Sequence, residues 1–305
     1  MIISMYGTKG GSGKTTTVIS LLSGFAHFNK QNPDNVKTVL ALDSDLQGTL
    51  TRFGEARERR GREAYGIEFG HYTDDENLAA YLNEKRYEYD FILVDTPSAQ
   101  INDRLSGVLT SDIIVTPSSL RAVEMSAAIK NANQINTLIY KHDLPATHVL
   151  LLVWVPQLKN MTGKVGKAIF ETTYKAGYQI LDTRLTQQQA YANLTDYNVY
   201  TFELPEVSKG KSNQLALGEA RQMIEALLTQ RILEQDMDPE DAFWALGTGK
   251  KPTKKTGKTQ MSVSIHDDDL EFLHNYAAER DISVRAGLQC FLRLAIKQAK
   301  DKGEK

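Results

Sequence analysis

Residues 2–28 limit what this chain can fold into more than any other stretch. Ile2–Tyr6 is an apolar run that reads as a strand. Thr15–Phe28 reads as a helix, with apolar positions at Val18, Leu21, Leu22 and Phe25. Between them lies Thr8-Lys9-Gly10-Gly11-Ser12-Gly13-Lys14-Thr15. Glycines in such a turn let backbone N–H groups face inward at the start of a helix, where the helix dipole also favours an anion. Lys14 is placed to reach outer phosphates, and the Thr15 hydroxyl to ligate Mg²⁺. The phosphate-cradling pattern begins with glycine, and Thr8 holds that place here. A dinucleotide fingerprint fits worse, because Thr16 stands where its third glycine belongs. A glycine-rich turn can also arise from packing alone, but packing does not call for lysine and threonine in register with the helix.

The remainder of the body alternates in the same way. Candidate strands are Thr38–Leu42, Phe91–Val94, Ile113–Thr116, His148–Val155 and Val199–Leu204, with helical patterns over Asn77–Lys85, Arg121–Tyr140, Lys164–Ala176 and Gln214–Gln235. Continuously apolar strands separated by helices predict an α/β fold, a mostly parallel sheet with helices on both faces.

Two acidic motifs sit where such a sheet would present them. Asp43 and Asp45 follow one strand in Asp43-Ser-Asp-Leu-Gln-Gly48, and Asp95 follows another in Asp95-Thr-Pro-Ser98. Carboxylates at the carboxyl ends of parallel strands border the ligand crevice. There they can hold Mg²⁺ through water or orient an attacking water.

Together the three motifs resemble the ParA/MinD family of deviant-Walker P-loop ATPases over roughly residues 1–235. Lys9–Thr15 matches that family's K-G-G-x-G-K-T/S signature. Asp43–Gly48 matches its switch with Leu46 in place of the usual proline, and Asp95–Pro97 matches its Walker B motif. The resemblance implies ATP and Mg²⁺ as cofactors and an ATP-sandwich homodimer in which Lys9 reaches the partner's nucleotide. Nucleotide contacts would then come from Lys9, Gly10, Gly11, Ser12, Gly13, Lys14, Thr15 and Thr16, the last at the α-phosphate. Lys9, Lys14 and Asp45 would be catalytic, Asp45 by orienting water. Thr15, Asp43 and Asp95 would serve the metal, the two aspartates through water. Base contacts would come from the loop near Leu204–Ser208, while Trp154-Val-Pro-Gln157 departs from the family's Asn or Asp.

The carboxyl-terminal region differs in kind. Residues 247–305 hold 12 Lys and Arg against 8 Asp and Glu, whereas 1–246 hold 24 against 30. A basic tail on an acidic body points to a nucleic acid or an acidic surface as its partner. Residues 247–259 read as a flexible basic linker after an ATPase domain at 1–246. In 260–305, Gln260–Ile265 alternates polar and apolar, and helices follow from Asp268 and from Ser283. So short a strand–helix–helix cannot bury its apolar faces alone and should dimerise. It resembles the ribbon-helix-helix DNA-binding fold, which places Gln260, Ser262 and Ser264 at base edges and Lys254, Lys255 and Lys258 at phosphates. An intertwined dimerisation module is the competing reading. Arg184 and Arg221 are further candidates for nonspecific DNA contact. Arg52–Glu63, five arginines among three glutamates, reads as a solvated helix.

Composition removes several alternatives. One cysteine, Cys290, excludes an intrachain disulfide and any iron–sulfur site within one chain. The single cysteine and the absence of a long apolar run or a basic leader predict a cytoplasmic protein, and the two resemblances imply one that is nucleoid-associated and needs no membrane. The expected function is an ATP-driven partition ATPase for DNA or plasmid segregation, slow alone and stimulated by a ParB-type adaptor. The alternatives are a spatial regulator of a non-DNA cargo, such as a conjugation or secretion complex, and an ATP-dependent ligase of dethiobiotin-synthase type.

Overall fold

The computed structural model describes residues 1–72, 77–98, 102–156 and 164–230. The chain divides into two units, Met1–Pro252 and Thr253–Lys305, and the described residues all belong to the first. The linker, the ribbon-like segment and Lys254, Lys255, Lys258, Gln260, Ser262 and Ser264 lie outside the described residues, as do Gln157 and Cys290.

Seven strands form one sheet: β1 (Ile2–Met5), β2 (Val39–Asp43), β3 (Ile67–His71), β4 (Phe91–Asp95), β5 (Ile113–Ser118), β6 (Thr147–Val155) and β7 (Ile180–Thr186). Their order is β3-β2-β4-β1-β5-β6-β7, and every pairing is parallel. The helices are α1 (Lys14–Gln31), α2 (Thr49–Arg59), α3 (Leu78–Lys85), α4 (Asn102–Leu109), α5 (Ala122–Lys141), α6 (Lys164–Lys175), α7 (Gln189–Tyr197), α8 (Leu204–Val207) and α9 (Ser212–Leu228). The expected α/β architecture is therefore present.

The strands are apolar because both faces of the sheet are covered. β1 and β2 are buried at every position. On one face Ile3, Met5, Val39, Ala41 and Leu93 pack against Val18, Leu21, Leu22 and Phe25 of α1 and Met223 of α9. On the other, Leu150, Leu152 and Ile180 meet Met125, Ala132 and Phe170 of α5 and α6, and Ile2, Leu40 and Val94 meet Leu78 and Leu82 of α3. The α1–α9 contact is close at Gly24, where a methyl group would lie 2.5 Å from Ile224 Cδ1 and 3.1 Å from the Ala220 carbonyl. Any larger side chain there would force these helices apart.

Three local expectations are corrected. Val199–Leu204 is not a strand: Thr201–Glu203 forms a 3₁₀ turn that runs into α8. Glu203 folds back to accept the Tyr200 N–H at 2.7 Å, and Pro205 suits a helix start but cannot donate to a ladder. The sheet instead gains β3 and β7 as its two edges. The arginine-rich stretch is also not solvated throughout, because Arg57 is buried.

Candidate nucleotide site

The sheet order brings the three sequence motifs together. β2, β4 and β1 are consecutive neighbours, with Asp43 paired to Asp95 and Asp95 to Met5 in register. Parallel strands end at one edge, so the loops carrying Thr8–Gly13, Ser44–Gly48 and Thr96–Ser98 meet there.

The loop after β1 turns on two left-handed glycines, Gly11 at φ 73° and Gly13 at φ 92°, a conformation that penalises other residues. Gly13 immediately precedes α1, so Lys14 and Thr15 open the helix. A methyl on Gly13 would come within 3.3 Å of both Trp154 Nε1 and Val153 Cγ2. Trp154 itself has φ 55° and meets Tyr191 edge-on, with ring centroids 6.1 Å apart. The loop is thus packed against the end of β6.

Lys14 is 6% exposed and donates from Nζ to the Gly7 carbonyl at 3.0 Å and to Ser98 Oγ at 2.8 Å. Burial lowers its pKa, opposed by the charges of Asp95 and Asp45. The Thr15 hydroxyl donates to Asp95 Oδ2 at 2.5 Å. Asp95 is 2% exposed, and its second oxygen, Oδ1, has no hydrogen-bond partner. Burial raises the Asp95 pKa to about 7, with the Asp43 and Asp45 charges adding and the Thr15 hydroxyl and Lys14 opposing. A buried carboxyl with an orphaned oxygen beside a threonine hydroxyl is a donor set that suits a hydrated divalent cation.

Asp43 is fully buried, and both oxygens are used inside the switch loop. Oδ1 accepts the Asp45 N–H at 3.0 Å, while Oδ2 accepts the Thr51 N–H at 3.0 Å and hydroxyl at 3.3 Å. It ties that loop to the first turn of α2. Asp45 stands farther out; its Oδ1 accepts the Gln47 N–H and its carbonyl accepts His71 Nε2 at 3.1 Å. Leu46 is 72% exposed beside it.

Lys9 does not join Lys14. Its Nζ lies 3.3 Å from Glu124 Oε1, in the first turn of α5. Thr8 donates to Asn131 Oδ1 at 3.1 Å, and the Ser12 hydroxyl is buried without a partner. Thr16 is half-buried in the first turn of α1. Sequence reasoning missed Glu124, Thr51, Asn131 and His71, and quoted Ser98 without a role. Thr51, a polar residue just beyond the Asp43–Gly48 motif, carried a local signal, and Glu124, Asn131 and His71 carried none.

Behind the switch, α2 is fastened to the segment after α7. Arg57 and Glu203, 3% and 5% exposed, pair through both nitrogens at 2.6 and 3.1 Å. Arg57 also donates to the Asn198 and Glu63 carbonyls, and its guanidinium carbon lies 3.5 Å from the Tyr200 ring centroid. Of the DNA candidates within the described residues, Arg221 is exposed on α9. Arg184 is half-buried in β7 beside Glu219, where burial lowers its pKa. No helix among the described residues is long and apolar enough to cross a membrane.

Known proteins resemble this chain in sequence and in fold. The family model described as VirC1 protein matches residues 1–236. Maintenance of carboxysome distribution protein A of Gloeobacter kilaueensis is 28% identical over 134 residues, 44% of this chain and 56% of that protein. Protein virC1 of Rhizobium radiobacter is 26% identical over 153 residues, 48% of this chain and 62% of that protein. The match therefore spans less than two thirds of either relative. Among solved structures, an McdA variant from Cyanothece in complex with ATP superposes with a TM-score of 0.56 at 14% identity, covering 74% of this chain and 95% of that one. At that identity the likeness is one of fold.

Proposed function

Because this chain belongs to the VirC1 family and has the ParA/MinD-type P-loop fold, we propose that it is a partition-type ATPase. It binds Mg·ATP, closes as a dimer around the nucleotide, binds DNA and hydrolyses ATP to drive DNA or plasmid segregation. The observation that carries this reading is the convergence of Lys14, Thr15, Asp95 and the Asp43–Gly48 loop on one sheet edge.

In this reading the inward N–H groups of Gly10–Lys14 hold the phosphates, and Lys14 exchanges Gly7 and Ser98 for phosphate oxygens. Thr15 and Asp95, with Asp43 behind them, would hold Mg²⁺ through the hydroxyl and through water. When bound, that ion supplies charge neutralisation for the phosphates. Asp45 is the half-buried carboxylate of the switch and would orient the attacking water. Positioning and charge neutralisation suffice for phosphoryl transfer, which asks for no covalent intermediate. Hydrolysis is slow until a ParB-type adaptor engages the dimer, and residues 247–305 add DNA contacts of their own through Lys254, Lys255, Lys258, Gln260, Ser262 and Ser264.

One finding favours a second reading. The Gloeobacter relative is named for carboxysome distribution, a cargo that is not DNA. A spatial regulator would use the same nucleotide cycle and differ only in what it carries.

The test is calorimetry with ATP alongside phosphate release. Lys14→Ala should abolish binding. Asp45→Ala should bind ATP and accumulate as a dimer while hydrolysing far more slowly. Wild-type protein that fails to bind ATP with Mg²⁺ would refute the reading. Plasmid inheritance in cells carrying Lys14→Ala separates the two readings: segregation predicts plasmid loss, and positioning of another cargo predicts none.

A further inference from the structure

The Lys9–Glu124 contact has an arrangement that ordinary surface ion pairs lack. Glu124 is 16% exposed at its side chain and is held by a contact that does not involve Lys9. Its Oε2 accepts the Ser119 hydroxyl, whose oxygen in turn accepts the Arg121 N–H at 3.2 Å. Its Oε1 has two cations within reach, Lys9 Nζ at 3.3 Å and Arg121 Nη1 at 3.8 Å. The Ser119 hydrogen bond, with the Lys9 and Arg121 charges, holds the Glu124 carboxyl below the usual carboxylate range. Lys9 is 39% exposed and Arg121 is 80% exposed.

One fixed carboxylate with two cations permits an exchange. Lys9 can leave without stranding a charge, because Arg121 remains to pair with Glu124. Removing the partner of a buried carboxylate would cost far more. The surroundings suit a departure toward another molecule: Val123, next to Glu124, is 73% exposed, and Leu46 on the switch loop is 72% exposed. Large apolar side chains on the rim of the nucleotide site are suited to burial against a second copy of the same face.

We propose that Glu124 is the resting partner of Lys9 within one chain, a latch whose release sets the ATP concentration at which two chains close on the nucleotide. The proposal rests on the ATP-sandwich reading above. Glu124 acts through Lys9 and is a positioning residue. Arg121 is the competing cation that makes the latch easy to open.

The test uses full-length protein with AMPPNP and Mg²⁺, reading the dimer fraction by light scattering as nucleotide is raised. Glu124→Gln keeps an oxygen for the Ser119 hydroxyl but removes the charge that holds Lys9. It should lower the nucleotide midpoint about two- to fivefold for each lysine released, the range of a partly exposed ion pair. Arg121→Ala should shift the midpoint upward, because Lys9 then has Glu124 to itself. The melting temperature without nucleotide should fall by no more than about 4 °C in Glu124→Gln, the small cost of a partly exposed pair. An unchanged midpoint in Glu124→Gln overturns the latch, and so does a shift of both variants in the same direction, the result of a merely structural role in α5. If wild-type protein binds AMPPNP but never dimerises, the sandwich reading fails and takes the latch with it.

Discussion

Arg57→Ala tests whether the region behind the switch is held by the one buried ion pair described there. The guanidinium and Glu203 are 3% and 5% exposed and share two hydrogen bonds. Removing one end of such a pair leaves an uncompensated buried charge and typically costs about 3–5 kcal/mol. Two features place this site at the lower end. Glu203 keeps the Tyr200 N–H at 2.7 Å, and Arg62, 19% exposed, remains 3.7 Å away. Against that, the Asn198 and Glu63 carbonyls lose a donor, and Tyr200 loses the cation stacked on its ring. We expect a loss of about 3 kcal/mol, equivalent to a fall of roughly 6–12 °C in melting temperature for a domain of this size. Urea denaturation of the nucleotide-free protein measures it. Arg57→Met with Glu203→Gln, which removes both charges and keeps volume, should recover much of the loss. A single-variant loss below about 1 kcal/mol would show that water reaches Glu203 and that the pair is not buried in solution.

Other expectations follow from the same contacts. Asp95 is neutral more often in the folded than in the unfolded chain, since its pKa rises from 3.8 to about 7. Its contribution to stability is therefore fully present below pH 3.8 and is lost as pH rises through 7, so Asp95→Asn should stabilise the nucleotide-free protein by about 2–4 kcal/mol at pH 8 and hardly at all near pH 4. His148, buried against Thr116 with its pKa lowered to about 4, has the opposite slope. Its contribution is present above pH 6.5 and is lost as pH falls toward 4, and Asp95→Asn should unmask that acid sensitivity in denaturation midpoints measured between pH 4 and 7. Replacing Gln260, Ser262 and Ser264 by Ala should cost about 1–3 kcal/mol per base contact in gel shifts against a preferred sequence, while replacing Lys254, Lys255 and Lys258 should weaken all sequences alike. Operator preference that survives the triple-alanine change would sink the ribbon assignment.

What the sequence revealed and what it hid divide along physical lines. β1, β2, β4, β5 and β6 were legible because strands covered on both faces must be apolar throughout, and that leaves a continuous signal. β3 and β7 were not. Ile67-Glu-Phe-Gly-His71 alternates apolar with polar, as an edge strand does, and Asp182 and Arg184 interrupt β7. Val199–Leu204 misled for the converse reason: Val199, Tyr200 and Leu204 are buried, but beneath a turn fixed by Glu203. The convergence of Lys14, Thr15, Asp43 and Asp95 could be read from motif spacing, because parallel strands must end together. The partners of Lys9 and Arg57 could not. Glu124 is 115 residues from Lys9 and Glu203 is 146 from Arg57, and local pattern does not register pairings so distant.

The packing of Trp154 against Gly13 has an optical consequence. Indole emission depends on the polarity and electric field around the ring, and this ring lies 3.3 Å from where a side chain would begin on the glycine that turns the phosphate loop into α1. The chain has two tryptophans, Trp154 and Trp244. With Trp244→Phe, the remaining fluorophore sits against the loop whose filling is to be watched. Arrival of a polyanion in that loop should shift the emission of Trp154 without an attached dye, so the protein carries its own gauge of nucleotide occupancy, readable on the millisecond scale of a stopped-flow mixer.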